Sequence, residues 1–169
     1  KFYFETKAEL LNAYQQARTK SQQKVGKLFD VKDDQEFQVA AVPDFAAAQA
    51  PRATYRPPAF DGSRPGMLYI NANDLRSQPK YLVETVTLHE ASPGHHLQHL
   101  MSMQNVDLSD YRKSLSFTAF DEGWGLYAEG LGEDLGFYSD AMMLLGRVLA
   151  DQQRAMRLVV DTGIHAFDW

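Results

Sequence analysis

Residues 87–99 read Thr-Leu-His-Glu-Ala-Ser-Pro-Gly-His-His-Leu-Gln-His. Four of the chain's five histidines lie in this stretch, at positions 89, 95, 96 and 99. A glutamate, Glu90, directly follows the first of them. Because imidazole nitrogens and carboxylate oxygens are common metal ligands, so many of them in one stretch predict a metal site.

The spacing of these histidines requires a broken helix. In the zinc-peptidase motif, two histidines four residues apart on one helix face bind the ion, and the glutamate after the first acts as general base. Here Pro93 stands four residues after His89 and disfavours helical geometry at Ser92. In an unbroken helix, His89 and His95 would be separated by a rise of ~9 Å and a rotation of ~240°. We therefore expect one helix to end near Ser92 and a second to begin at Pro93, which brings His95 beside His89.

Two alternatives to this ligand pair remain open. His95 and His99 are four residues apart on the second helix, and together they could bind an ion with His89 and Glu90 outside its coordination sphere. A helix that restarts after Pro93 and Gly94 could also present His96 in place of His95. The sequence alone does not choose among these arrangements.

A later segment offers the third ligand. Residues 117–135 have helical periodicity, and Glu122, Glu129 and Glu133 fall on one narrow stripe. An amphipathic helix with solvated carboxylates would have the same pattern. Since two histidines and a carboxylate are a known catalytic zinc set, we expect Glu122 to be the third ligand. Glu129 then supports the site from behind, by orienting a ligating histidine.

The last predicted helix, residues 139–166, carries a second polar stripe. Arg154, Asp161 and His165 project within ~40° of one another, and Arg157 lies at the margin of this face. Asp161 and His165 are four residues apart, so a hydrogen bond can fix the imidazole tautomer. His165 is the candidate donor to an oxyanion, and Arg157 the candidate partner of a substrate carboxylate. A purely structural ion pair explains the same spacing.

The first third of the chain is predicted to be structural. We expect a helix over residues 6–29, a strand over 37–42 that stops at Pro43, and a loop or short helical turns over 44–56. Between the helix and the first strand, three acidic residues are interpreted as a solvated turn, namely Asp33, Asp34 and Glu36.

A long irregular loop, marked by its prolines and an Asp-Gly pair, leads into a predicted strand over residues 67–71. By analogy with zinc peptidases, in which an edge strand beside the metal helix pairs with the extended substrate, residues 66–71 are expected to bind substrate. Tyr69 is the candidate contact within this strand.

Composition limits the class of protein. A chain of 169 residues can bury one core, which predicts a single domain over residues 1–169. The net charge of −5 and the lack of a basic stripe argue against nucleic acid. No apolar run approaches the ~18 residues of a transmembrane helix. Since the chain has no cysteine, any metal must be bound through nitrogen and oxygen.

Several blocks together resemble a known bacterial family. Residues 89–98 are similar to its His-Glu-x-x-Pro-Gly-His-His-x-Gln motif, and residues 120–129 to its Phe-x-Glu-Gly-Trp-x-Leu-Tyr-x-Glu motif. Residues 61–66 and 154–166 also resemble family blocks, in the expected order. The family is domain-of-unknown-function family 885, whose members are predicted zinc metallopeptidases. Gly125 is a small departure, because alanine is more often expected at that position.

The resemblance implies a mainly α (α+β), zincin-like metallopeptidase domain with a small sheet edge and a metal site between two packed helices. It favours one zinc ion bound by His89, His95 and Glu122, with Glu90 as general base, His96 behind the ligands, and a peptide substrate. Asp161 would support the site in the same way from the last helix. Family members are longer at the N-terminus, so the chain is expected to be the C-terminal catalytic part of a longer protein, and an exported or periplasmic location is compatible with the family.

Two other functions fit the same residues. Nothing in the motif recognises the acyl group, so the substrate of a metal-dependent hydrolase could be a non-peptide amide or an ester. A non-catalytic helical binding or scaffold domain, with histidines kept for structure, belongs to a different class.

Overall fold

Helices form most of the structure, a computed structural model that describes residues 2–31, 33, 35 and 37–169. The described residues form seven α-helices and three β-strands, so the mainly α (α+β) prediction is confirmed. The helices are α1 (Lys7–Lys24), α2 (Asp44–Ala47), α3 (Val83–Glu90), α4 (His95–Gln104), α5 (Asp110–Ser114), α6 (Thr118–Gly130) and α7 (Ala141–Phe167). The strands are β1 (Phe37–Ala41), β2 (Ala53–Arg56) and β3 (Gly66–Ile70).

The first helix matches its prediction closely. The Thr6 hydroxyl caps α1 by accepting the backbone N–H of Glu9 at 3.1 Å. After Lys24 the chain continues as a 3₁₀ turn, Val25–Lys27, so the expected end near residue 29 is confirmed to within two residues. Leu10 is fully buried, in the same apolar core as the sheet.

The three-stranded sheet has the order β1-β3-β2, with β1 parallel and β2 antiparallel to β3. The expectation that residues 66–71 form an edge strand is therefore wrong, because β3 has neighbours on both sides and Tyr69 lies in the middle of the sheet. The edge strands of the described sheet are β1 and β2, and β2, which contacts α3, lies in a segment that was predicted to be a loop or short helical turns. Its buried positions alternate at Ala53 and Tyr55, but the alanines and proline before it obscure this short pattern.

The break in the histidine motif occurs where it was predicted. Helix α3 ends at Glu90 and α4 begins at His95, with a cis peptide bond between Ser92 and Pro93. Gly94 is required at the turn, because a Cβ there would overlap the backbone carbonyl of His89. The missing side chain allows the start of α4 to pass close to the last turn of α3.

Helix α3 lies at the centre of the packing. It contacts α1, α4, α6 and α7, as well as strand β2. Helix α6 is shorter than predicted, since its α-helical part ends at Gly130 and the chain continues in turns before α7. The histidine motif is therefore surrounded by the elements that were expected to supply its other ligands.

Helix α7 extends beyond this packed centre. Four apolar residues in its C-terminal half are each about half exposed or more, namely Leu158, Val159, Val160 and Ile164. Among the described residues, the structure has no helix with the length and apolar character needed to cross a membrane.

Candidate metal site

Three helices each contribute one predicted metal ligand to a single point. One donor atom each from His89 on α3, His95 on α4 and Glu122 on α6 all lie within 4.8 Å of one another. His89 Nε2 lies 3.3 Å from Glu122 Oε2, and His95 Nε2 lies 3.8 Å from Glu122 Oε1. The two imidazole rings are nearly perpendicular, with centroids 4.7 Å apart. The broken helix thus brings together the residues that the sequence predicted.

These three residues fit a zinc ion. Two donors that are each ~2.0–2.1 Å from a tetrahedral ion lie ~3.3–3.4 Å from each other; the distance of 3.3 Å between His89 and Glu122 matches this value, and that of 3.8 Å between His95 and Glu122 is longer. The side chains of His89 and His95 are 8% and 12% exposed, whereas that of Glu122 is 58% exposed. One side of the group therefore opens to solvent, as a catalytic site with a free coordination position requires.

Glu129 holds His89 from behind. His89 Nδ1 donates to Glu129 Oε1 at 2.8 Å, and the Glu129 side chain is 1% exposed. This bond leaves the lone pair of Nε2 facing Glu122. Burial alone lowers the pKa of His89, but the bond to Glu129 and the carboxylates of Glu90 and Glu129 raise it overall above the ordinary value.

Arg154 completes this support, a role that the sequence analysis did not assign. Its guanidinium donates to Glu129 Oε1 at 2.9 Å and also lies 3.2 Å from His89 Nδ1. Because a protonated Nδ1 has no lone pair to accept with, the ion pair with Glu129 is the stabilising contact. The polar stripe on α7 contained this arginine, but nothing in the periodicity distinguished it from Arg157.

Gly125 provides the room for the His89 ring. A Cβ at this position of α6 would overlap the imidazole. The departure from the expected alanine therefore falls at a position where α6 packs directly against the ring of the candidate ligand.

Glu90, the predicted general base, lies in the cleft next to the candidate ligands. Its Oε2 accepts the backbone N–H of Tyr55 on β2 at 2.7 Å. Burial raises the pKa of Glu90, although the neighbouring His89 and His95 partly oppose this shift. A glutamate whose pKa is raised is better matched to proton transfer near neutral pH than a solvated one.

The cleft in front of these residues has a volume of about 570 Å³. Strand β2 and helices α3, α4, α6 and α7 all line it, and Arg157 is one of the lining residues from α7. His99 also lines it, with its ring stacked on Tyr55 at a centroid distance of 6.0 Å. Burial lowers the pKa of His99. The described residues that converge as a possible metal-binding group do not include His99, so the structure does not support the alternative pair of His95 and His99.

His96 points away from the candidate ligands and into the core. Its Nε2 lies 3.0 Å from Asp33 Oδ1, and its Nδ1 lies 2.8 Å from the Tyr55 hydroxyl. The interpretation of Asp33 as solvated surface is wrong, because its side chain is 1% exposed and also accepts a hydrogen bond from Ser92. Burial alone would raise the pKa of Asp33, but the bonds from His96 and Ser92 lower it overall. Asp34 and Glu36 of the same predicted turn lie outside the described residues.

Three other predicted site residues lie elsewhere. His165 and Asp161 form an ion pair at 3.5 Å, with side chains 73% and 74% exposed. Among the described residues that line the cleft, neither of them appears, and Tyr69 is also absent. His165 is eleven residues beyond Arg154, which corresponds to ~16 Å along α7. The correct helix was identified, but among the described residues the part of α7 that lines the cleft is its middle, from Ala150 to Arg157.

A mainly helical domain with two buried histidines and a carboxylate converging beside an open cleft defines a candidate metal-binding protein. The family model described as "Bacterial protein of unknown function (DUF885)" matches residues 1–169. The chain belongs to this family.

One solved structure extends the comparison to three dimensions. The crystal structure of a protein from Colwellia psychrerythraea, provisionally designated a lipoprotein, matches with a TM-score of 0.93 and 37% sequence identity. The match covers 99% of this chain and 29% of the Colwellia chain, so the chain spans less than a third of that relative. A comparison with curated proteins gives no match.

Proposed function

We propose that this chain carries the catalytic centre of a zinc-dependent metallopeptidase with a zincin-like arrangement of ligands. The observation that carries the proposal is the convergence of His89, His95 and Glu122 beside Glu90 at one open cleft. Three protein ligands and an adjacent carboxylate are the components that hydrolysis by a metal-activated water requires.

The residues around the ion would have distinct roles. When bound, zinc polarises a carbonyl oxygen and lowers the pKa of a coordinated water towards ~7. Glu90 removes a proton from the attacking water and returns it to the leaving amine. Oε2 of Glu90 accepts the Tyr55 N–H, and this bond fixes the position of the carboxylate that accepts the proton.

Glu129 and Arg154 prepare the site for this chemistry. The bond from His89 Nδ1 to Glu129 keeps the imidazole in the tautomer whose Nε2 can bind a metal. Arg154 neutralises the buried Glu129 carboxylate, which would otherwise be costly in the core.

Two features favour a peptide as substrate. Strand β2 is an edge strand of the described sheet and lines the cleft, so an extended peptide can add alongside it, at backbone groups other than the Tyr55 N–H that Glu90 accepts. Arg157 also lines the cleft, where its planar guanidinium can bind a substrate carboxylate. The role first assigned to β3 passes to β2, and Arg157 keeps the role that was predicted for it.

Location and chain length belong to the same proposal. The provisional lipoprotein designation of the Colwellia relative favours an exported protein. We propose that this chain is the catalytic part of a longer protein, and the greater length of the Colwellia chain favours this.

The test compares Glu90→Gln with Glu133→Gln in untagged protein. Zinc content is measured by elemental analysis, and cleavage of a peptide library is measured with and without a chelator. We expect stoichiometric zinc in both variants and a loss of ~10²–10⁴-fold in kcat for Glu90→Gln alone. Glu133 is a suitable control because its exposed carboxylate contacts only Arg147 among the ion pairs of the described residues.

Three results would contradict the proposal. Full activity in Glu90→Gln would remove Glu90 as the base. Cleavage of non-peptide amides or esters alone would change the substrate class. Wild-type protein that binds no zinc and cleaves nothing would favour a non-catalytic binding domain.

A further inference from the structure

A buried chain of hydrogen bonds lies directly behind the cleft. It joins Tyr55 on β2 to His96 on α4, His96 to Asp33, and Asp33 to Ser92 in the helix break. The side chains of His96 and Asp33 are 2% and 1% exposed, and Ser92 is fully buried. Gln22 on α1 donates to Asp33 Oδ1 at 3.1 Å, which ties the first helix to the same carboxylate.

The donors and acceptors in this chain follow from chemistry. An ionised carboxylate only accepts, so His96 Nε2 carries a proton that it donates to Asp33. In a neutral imidazole with this tautomer, Nδ1 accepts from the Tyr55 hydroxyl. His89 has the opposite tautomer, because its Nδ1 donates to Glu129. The two consecutive histidines of the motif point in opposite directions: His95 faces the cleft, and His96 faces the core.

Packing fixes the two rings that carry these bonds. The His96 ring lies 4.3 Å from that of Phe37, and the Tyr55 ring meets Phe37 edge to face at 5.8 Å. Tyr55 and His96 are themselves nearly perpendicular, with centroids 5.4 Å apart. Neither ring can rotate away from its hydrogen bond without disturbing this cluster.

Tyr55 connects this buried chain to the candidate base. The same residue whose hydroxyl is held by His96 donates its backbone N–H to Glu90 at 2.7 Å. Strand β2 has only four residues and pairs with β3 on one side, so backbone pairing alone constrains it weakly. The side-chain anchor at Tyr55 therefore determines how accurately its N–H meets the Glu90 carboxylate.

We propose that His96 is a positioning residue for Glu90, acting through Tyr55 and anchored by Asp33. The inference rests on the proposed function, because it assigns a catalytic consequence to the position of Glu90. In this arrangement His95 binds the metal, while the next residue in the motif aligns the base.

The experiment uses zinc-loaded protein and four variants: His96→Leu, His96→Gln, Tyr55→Phe and, as a control, Tyr111→Phe. Tyr111 is a largely exposed tyrosine on α5. Zinc affinity is measured by chelator competition, and kcat and KM by cleavage of the best library peptide. Exchange of the Tyr55 amide with deuterium is followed by NMR.

We expect His96→Leu and Tyr55→Phe to lower kcat by ~10–100-fold, because small displacements of a catalytic group are costly. KM and zinc affinity should change by less than about threefold, since the metal ligands are untouched. His96→Gln keeps one donor and one acceptor, so its kcat should lie between those of wild type and His96→Leu. The Tyr55 amide should exchange about tenfold faster in His96→Leu, with the amides of β3 unchanged.

Different results identify different failures. If kcat stays within twofold of wild type in both His96→Leu and Tyr55→Phe, or if kcat falls only in proportion to bound zinc, the positioning role is wrong. If wild-type protein binds zinc without cleaving peptides, the proposed function is wrong. Exchange of the Tyr55 amide then tests by itself whether His96 holds Tyr55 in place. An unchanged Tyr55 amide in His96→Leu would then overturn the link to Glu90.

Discussion

Two histidine–carboxylate pairs in this molecule have the same chemistry in opposite surroundings. His89 and Glu129 lie 2.8 Å apart, with side chains 8% and 1% exposed. His165 and Asp161 lie 3.5 Å apart, with side chains 73% and 74% exposed. The second pair follows from a spacing of four residues on one helix, whereas the first joins residues 40 positions apart on α3 and α6.

The difference shows that a spacing of four residues on a helix can bring two side chains together although their contact contributes little to stability or function. In water the attraction between exposed charges is screened, and such helical pairs contribute only a few tenths of a kcal/mol. Inside the core the same contact is stronger, and its loss leaves a buried polar group without a partner. We therefore expect mutations at the two pairs to differ widely in effect.

The largest difference should appear when each histidine is removed. His89→Ala should lose stoichiometric zinc and all measurable hydrolysis, because a candidate ligand is missing. His165→Ala should retain both to within twofold, since its side chain is exposed and outside the cleft. Elemental analysis and peptide cleavage measure the outcome. Equal losses in the two variants would restore the catalytic role first predicted for His165.

Neutralising each carboxylate is a milder comparison. Glu129→Gln should weaken zinc binding by ~10–100-fold, because the partner that orients His89 changes from an ionised acceptor to an amide. Asp161→Asn should leave the zinc affinity unchanged within twofold. Chelator competition at constant pH measures both values, and an unaltered affinity in Glu129→Gln would show that the bond to His89 is dispensable.

A third comparison concerns stability and pH at Asp33. Its folded-state pKa lies below the ordinary value of 3.8, so its contribution to stability is present above that value and is lost as pH falls through the folded-state pKa. Asp33→Asn should lower the free energy of unfolding at pH 7 by about 1.5–3 kcal/mol, the range for hydrogen bonds to charged groups. Urea unfolding from pH 7 to pH 3 should show the two curves converging below about pH 4. Parallel curves would mean that the charge of Asp33 does not matter.

The smallest effect is expected at the exposed pair itself. Asp161→Ala should change the free energy of unfolding by no more than ~0.5 kcal/mol, as is typical of helical pairs in solvent. Half-molar salt should remove even this difference, because it screens exposed charges. Urea unfolding at two salt concentrations measures it, and a larger effect that survives in salt would indicate that α7 is covered in solution.

Local sequence signals predicted the parts of the fold that depend on neighbouring residues. The end of α3, the restart at α4 and the strand positions of β1 and β3 follow from prolines, glycines and apolar periodicity. Strand β2 was missed because its four residues, Ala-Thr-Tyr-Arg, are too few to give a clear periodic signal. Its assignment depends on pairing with β3, which is a contact between segments distant in sequence.

The candidate site also has some features that the sequence predicted and others that depend on tertiary packing. The sequence by itself determined that a histidine-rich helix must break at Pro93, that nitrogen and oxygen would be the only donors, and that a glutamate-bearing helix follows. Only the tertiary structure decided that His96 turns inward to Asp33, that Arg154 instead of His165 reaches the cleft, and that β2 is the edge strand beside α3. The physical reason is that helix periodicity fixes the face on which a residue lies, whereas burial and partners depend on which distant segment packs against that face.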